Sequence, residues 1–231
     1  MGHVTRFASP KFLKILKKEY KWTVRPIPGP HSAGSSIPLG VLLRDYLGVA
    51  LTLSEAKKIL YNGKIYVDGI MRVDYRFPVG LMDVVSIPSA EQYYVIYPDK
   101  SRFIAPRSIS SDEAQYKLKK VLNKVSVKNG KIQLNLHDGT NLQVESNDSN
   151  YYPTLSTIRV NLTNSKIDAV YTLKEGAIAI ITGGKNTGVE GTIQRIKKLP
   201  YKTRKYSIVE LKSSDKNYET NMENVMVISS S

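Results

Sequence analysis

Between residues 38 and 63 the apolar positions recur at helical spacing. Leu39, Leu42, Leu43, Tyr46 and Leu47 follow an i, i+3, i+4, i+7, i+8 stripe, which predicts an amphipathic helix. Gly48 stands where a helix C-cap belongs. Thr52-Leu53-Ser54-Glu55 is a capping-box sequence that opens a second helix. Its apolar face uses Ala56, Ile59 and Leu60, its polar side carries Lys57 and Lys58, and Gly63 ends it. The period then changes to two. Lys64–Val67 and Met71–Val73 flank Asp68-Gly69, the residue pair of a tight hairpin turn. Val84–Ile87 is a further strand after Gly80.

Beyond residue 92 most runs are short and alternating. Tyr93–Tyr97 predicts a strand. Ser110-x-x-Glu113 is a second capping box, and it predicts one helix with Ala114, Leu118, Val121, Leu122 and Val125 on a single face. Asn129-Gly130 and Asp138-Gly139 mark turns around runs such as Lys131–Leu136. Ala177–Ile181, Gly191–Ile196, Tyr206–Leu211 and Val225–Ile228 are spaced as in a small barrel. At the other end, Pro26, Pro28, Gly29, Pro30, Gly34, Ser35 and Ser36 deny regular structure to the segment that precedes the first helix. A short helix is expected around residues 10–20. Phe7, Phe12, Leu13, Ile15, Leu16, Tyr20 and Trp22 argue against pure disorder, although ordering of this segment is expected to depend on a bound polyanion.

The expected class is therefore α+β and multidomain. Residues 1–37 form an N-terminal extension and 38–92 a small module of two helices plus a β-hairpin. Residues 93–170 form a central β-rich domain with one helix, and 171–231 a small β-barrel.

Charge adds a partner to this outline. The 231 residues hold 34 Lys and Arg against 20 Asp and Glu, a net of +14. Such a field attracts polyanions, opposes self-association and rewards each Lys or Arg that meets a phosphate. The excess is uneven: +6 over residues 1–37, +1 over 38–88, +3 over 89–170 and +4 over 171–231. There is no cysteine, which excludes disulfides, thiolate metal sites and cysteine nucleophiles. No apolar run approaches the roughly 20 residues of a membrane span. The first residues lack the apolar core of a secretory signal. A cytoplasmic protein without membrane attachment is expected.

Catalytic chemistry finds little support. His3, His31 and His137 are scattered, and no metal or cofactor is expected. His137-Asp138-Gly139 reads as a turn rather than a dyad. No Gly-x-Ser-x-Gly elbow occurs, and the glycine-rich stretch at 183–188 fails the spacing of a nucleotide-hydrolysing phosphate loop.

The helix–helix–hairpin unit, with Leu39 to Leu47, Thr52, Ala56, Gly63, Tyr66-Val67-Asp68-Gly69 and Gly80 to Val85, resembles a known RNA-binding domain. Ribosomal protein S4, pseudouridine synthases and tyrosyl-tRNA synthetases share it. It departs from that domain at Leu53, where an arginine is usual, and in the Leu81-Met82 spacing between Gly80 and Asp83. Gly184-Lys185, Gly188, Gly191 and Ile193 are similar to the KOW motif of ribosomal proteins and elongation factors. Along nearly its whole length the chain resembles the archaeal and eukaryotic S4e family of small-subunit ribosomal proteins. The resemblance rests on Gly29-Pro30-His31, Leu81-Met82-Asp83-Val84, Asp112-Glu113-Ala114-x-Tyr116-Lys117-Leu118, His137-Asp138-Gly139 and Ile181-Thr182-Gly183-Gly184. It implies binding to small-subunit ribosomal RNA beside neighbouring ribosomal proteins, without self-association.

The expected RNA-facing side chains fall in three groups. The extension offers Lys11, Lys14, Lys17, Lys18, Lys21, Arg25 and His31. The module offers Arg44, Lys57, Lys58, Asn62 and Lys64. The C-terminal region offers Lys185, Asn186, Arg195, Lys197, Lys198, Lys202, Arg204 and Lys205, with Tyr201 and Tyr206 interleaved for stacking. Two other readings stay open. One is an accessory factor of transcription or translation; the other is an RNA-modifying enzyme that uses the module as a handle.

Overall fold

The computed structural model describes residues 3–13, 15–101, 103–127, 130–145, 151–197, 207–214 and 216–229. The chain divides into two compact units, Met1–Tyr97 with Ile104–Lys117, and Pro98–Phe103 with Leu118–Ser231. Most regular structure is β, with few helices.

In the first unit, strands β1 (His3–Thr5) and β2 (Trp22–Val24) pair antiparallel, His3 opposite Val24 and Thr5 opposite Trp22. They close a loop in which the expected helix over 10–20 does not form among the described residues; turns take its place. Arg6 explains the difference. It is only 1% exposed, and its guanidinium donates to the carbonyls of Leu16 and Trp22 and pairs with Glu19 at 3.3 Å. One side chain thus satisfies the Leu16 carbonyl, which a helix over 10–20 would have satisfied internally. Leu13 and Ile15 turn inward beside it.

The module follows its local grammar closely. After β3 (Ile37–Pro38), helix α1 (Leu39–Val41) runs into a π-turn over Leu42–Tyr46, closed by Leu47 N–H on the Leu42 carbonyl at 3.0 Å. Leu39, Leu42 and Leu43 are fully buried, and Gly48 takes φ +66°, the left-handed conformation of a C-cap. Helix α2 (Leu53–Tyr61) starts on its capping box. Thr52 Oγ1 accepts from Glu55 N–H at 3.2 Å, and the Glu55 carboxylate accepts from Leu51 N–H at 2.8 Å. Strands β4 (Tyr66–Val67) and β5 (Ile70–Met71) meet across Asp68 and Gly69, both at positive φ as a type I′ turn requires. Strand β6 (Pro78–Val79) pairs with β3. Strands β7 (Val84–Ile87), β8 (Gln92–Asp99) and β9 (Phe103–Ser108) complete a five-stranded sheet of order β5-β4-β7-β8-β9.

The expected helix over 113–125 is a strand instead. Ser110 and Glu113 do make their capping box, at 3.1 and 3.3 Å, but only a single 3-10 turn follows. Strand β10 (Tyr116–Val127) then sits between β11 (Lys131–Leu136) and β13 (Thr157–Asn161). Its apolar spacing imitates a helix because the register shifts between Val121 and Asn123, so that the face carrying apolar residues changes partway. A cap contributes about 1 kcal/mol. Pairing on both edges and burial of Val121 outweigh it.

In the second unit this sheet continues with β12 (Asn141–Glu145) and β14 (Ile167–Tyr171), in the order β12-β11-β10-β13-β14. Val121, Leu134, Leu136, Ile158 and Val160 are its core. A second sheet, β18-β17-β16-β15-β19, is built from β15 (Ile178–Ile181), β16 (Glu190–Lys197), β17 (Ile208–Ser213), β18 (Lys216–Asn221) and β19 (Val225–Ser229). Ala179, Ile181, Ile193, Leu211 and Val227 lie in its core.

Candidate nucleic-acid interface

Helix α2 sets the exposed cations of the module. With Ala56 and Leu60 buried, Lys57 and Lys58 point to solvent, and Lys64 follows beyond Gly63. Lys57 Nζ lies 4.3 Å from the Tyr75 ring centroid, a cation–π contact that orients the amine without neutralising it. Asn62 is the exposed C-cap of α2. Arg44 differs: it is bidentate to Asp45 at 2.8 and 3.0 Å, and this pairing raises its pKa. Asp45 thus occupies Nε and Nη2 of this arginine and leaves Nη1.

In the N-terminal segment Lys11, Lys18, Lys21 and Arg25 are exposed and Lys17 is half-exposed, and Lys21 stands 5.4 Å from the Trp22 ring. Lys14 lies outside the described residues. In the second unit Lys185 and Arg195 are exposed and Asn186 is half-buried. Lys197 pairs with Glu210 and, at 3.8 Å, with Glu219; the same pairing holds the Glu210 carboxyl below the usual range. Lys198, Lys202, Arg204 and Lys205 lie outside the described residues, as do Tyr201 and Tyr206.

The glycine-rich loop at 183–188 has a structural duty of its own. Gly188, at φ +84°, approaches the chain so closely that a Cβ there would lie 2.9 Å from the Lys100 nitrogen and 3.1 Å from the Pro98 carbonyl. His137-Asp138-Gly139 is a turn, as expected: Gly139 has φ +73°, and Asp138 accepts from Thr140 and pairs with Lys119 at 2.9 Å.

His31 is not on the surface. The structure buries it in a polar cluster that periodicity alone did not reveal. His31 Nε2 lies 2.9 Å from Asp83 Oδ1, and Lys117 Nζ lies 2.6 Å from both Asp83 Oδ1 and Asp68 Oδ2. Gly80 N–H donates to the other Asp83 oxygen at 2.8 Å. Burial alone would push the Asp83 carboxyl up, but Lys117, His31 and the Gly80 N–H outweigh it and hold the carboxyl below its ordinary value. An ionised carboxylate only accepts, so Nε2 carries the hydrogen. Asp68, a quarter exposed, is pushed the other way, by its own desolvation and by the charge of Asp83. Gly80 leaves no room for a side chain unless His31 shifts, because a Cβ there would lie 2.2 Å from His31 Cγ.

Sequence reasoning also missed the apolar residues left in the open beside the module's cations. Tyr61 is 84% exposed, and Ile70, Met71 and Val73 are each about half exposed. Their signal was available, as large apolar residues on the polar side of α2 and at the hairpin tip. An exposed tyrosine next to lysines is suited to base stacking. Among the described residues no group of three or more His, Asp or Glu is placed to hold a metal ion, and no helix is long and apolar enough to cross a membrane.

Comparison with known proteins shows what shares this architecture. The family described as "Ribosomal family S4e" matches residues 90–167, and the RS4NT (NUC023) domain matches residues 2–34. A protein named small ribosomal subunit protein eS4 from Metallosphaera sedula is 52% identical over 231 residues, spanning 99% of this chain and 96% of that protein. Its namesake in Saccharolobus islandicus is 50% identical over 229 residues, again 99% and 96%. The one in Sulfurisphaera tokodaii is 49% identical over 234 residues, covering 100% and 96%. The crystal structure of the 30S ribosomal protein S4e from Thermoplasma acidophilum superposes with a TM-score of 0.73 at 28% identity, covering 85% of this chain and 96% of that one.

Proposed function

This chain belongs to ribosomal family S4e, and from that premise we propose that it is a structural constituent of the small ribosomal subunit. In this reading it binds ribosomal RNA beside neighbouring subunit proteins, in the cytoplasm, as a single copy without catalytic chemistry. The observation that carries the reading is identity near 50% along almost the entire chain to proteins of that name. The mechanism is phosphate neutralisation. Lys57, Lys58 and Lys64 on the module, Lys11, Lys18, Lys21 and Arg25 on the N-terminal segment, and Lys185 and Arg195 in the second unit are exposed cations suited to it. The five strands from β15 to β19, with the loop at 183–188, are read as a KOW-type barrel.

Two measurements test this. Filter binding of the full chain to small-subunit RNA should show a log–log salt slope of several, since each neutralised phosphate adds roughly 0.7–0.9; a slope near zero would sink the mechanism. A structural constituent should also stay with purified small subunits through a high-salt wash, whereas an accessory factor would come off.

A further inference from the structure

Beside the buried His31 lies a cleft of about 630 Å³, a size typical of small-ligand sites, lined by Arg25, Pro26, Ile27, Pro28, Ala33 and Arg76 among others. One wall is the run 26–28. Pro26 and Pro28 have no N–H, and the Ile27 N–H is taken by the Arg76 carbonyl at 3.1 Å, so this wall offers rings and methylenes rather than donors. It is also fixed in place, because Gly29 lies against Pro78 so closely that a Cβ would come within 2.7 Å of Pro78 Cγ. The facing turn is held by Ser36 Oγ on the Ser32 carbonyl at 2.8 Å and Ser35 N–H on the same oxygen at 3.0 Å.

Two guanidinium groups supply the charge. Arg25 is exposed and has no carboxylate partner among the described residues. Arg76 is clamped: its Nε and Nη2 lie 3.2 and 3.0 Å from Asp74, which leaves Nη1 to donate elsewhere. Asp74 therefore orients the arginine without exhausting it.

We propose that this cleft receives one unstacked nucleotide of ribosomal RNA, its base against the Pro26-Ile27-Pro28 wall and its phosphate on Arg25 and Arg76. The apolar wall is wrong for a bare anion or a hydrated cation, and the volume is too small for a duplex. A flat base with an attached phosphate satisfies both the wall and the arginines, and splayed-out bases are the usual currency of RNA recognition. The inference rests on the ribosomal RNA reading above and names where one base of that RNA sits.

The test uses the full chain with a transcript of the small-subunit RNA. Ala33→Trp fills the cleft from an exposed turn without changing any charge. It should weaken binding about tenfold at fixed salt, or about 1.4 kcal/mol, while leaving the salt slope unchanged. Arg25→Gln should weaken binding and lower the slope by about one, as for one lost phosphate contact. If the wild-type chain shows a steep slope and folded Ala33→Trp binds equally well, the cleft is overturned and the wider reading survives. A flat wild-type slope overturns the wider reading itself. Should Ala33→Trp fail to fold, photocrosslinking of 4-thiouridine-labelled RNA in purified subunits decides. Adducts on residues 25–33 support the cleft, and their absence overturns it.

Discussion

Lys117 and Lys120 lie three residues apart on the same strand, both buried, and they are accommodated in opposite ways. Lys117, in the first unit, meets two carboxylates at 2.6 Å, with a histidine on the second oxygen-sharing partner, Asp83. Lys120, in the second unit, donates to two backbone carbonyls, those of Glu223 at 2.7 Å and Val225 at 2.6 Å. Carbonyl dipoles satisfy the hydrogens of an ammonium but not its charge. Burial accordingly drags the Lys120 pKa down to about 8, only partly opposed by the charge of Glu223. The lesson is that hydrogen-bond satisfaction and charge compensation are separate requirements: Lys117 meets both, and Lys120 meets one.

The largest effect should come from removing the charge partner. Asp83→Ala leaves His31 and Lys117 buried without their shared acceptor, and urea unfolding should show a loss of about 3–5 kcal/mol, the cost of breaking a buried pair. A loss under about 1 kcal/mol would mean that Asp68 alone supports Lys117 and that the contrast is false. Next is the pH response of Lys120. Its folded pKa of about 8 lies below the ordinary 10.5. Above pH 8 the folded chain therefore sheds this proton, while the unfolded chain keeps it until near 10.5. Stability from this residue thus rises across that window, by up to about 3 kcal/mol at 1.36 kcal/mol per unit. Lys120→Met should lack the rise, so the wild type should gain on the variant between pH 8 and 10; parallel curves would show that the amine is compensated after all.

Gly80→Ala should cost about 1–3 kcal/mol through overpacking of the His31 ring. Gly34→Ala, where an added Cβ meets nothing within 4 Å, is the matched control, and equal melting temperatures for the two variants would contradict the close packing. The smallest effect is expected from Asp68→Asn, about 1 kcal/mol at neutral pH, because the amide oxygen can still accept from Val84 N–H. The two aspartates also carry opposite signs in acid. Asp83, held low, contributes stability that is present above the unfolded carboxylate value and lost as pH falls through its folded value. Asp68, pushed up, favours the fold in acid and penalises it once ionised. Asp68→Asn should therefore cost more at pH 4 than at pH 7; a cost that shrinks in acid would reverse that assignment.

The sequence was most legible where contacts are local. Thr52, Glu55, Gly48 and Asp68-Gly69 each act within a few residues, and each stands where the pattern placed it. It misled where a long-range partner decides. Leu118, Val121, Leu122 and Val125 share a helical spacing, yet β11 and β13 claim the segment. Arg6 counts as a cation in the composition but is spent inside its own loop. The candidate site divides the same way. Lys57 and Lys58 were readable from the face of α2, but no local rule foretells that His31 finds Asp83. A hint was present in the stretches that carry the family resemblance. Gly29-Pro30-His31, Leu81-Met82-Asp83 and the run ending at Lys117-Leu118 each donate one member of the buried cluster, and His137 accepts from the Lys120 backbone N–H at 3.1 Å. Those motifs supply buried contacts, whereas the exposed Lys57 and Lys58 lie outside them.

The buried cluster also bears on the order in which the molecule can be made. Synthesis delivers His31 first, Asp83 after a separation of 52 residues, and the Lys117 amine only 34 residues later still. Until that amine is made, Asp83 has only His31 and the Gly80 N–H to accompany it into the interior. A domain that reads as residues 38–92 is, by this timetable, finished by a residue that lies outside it.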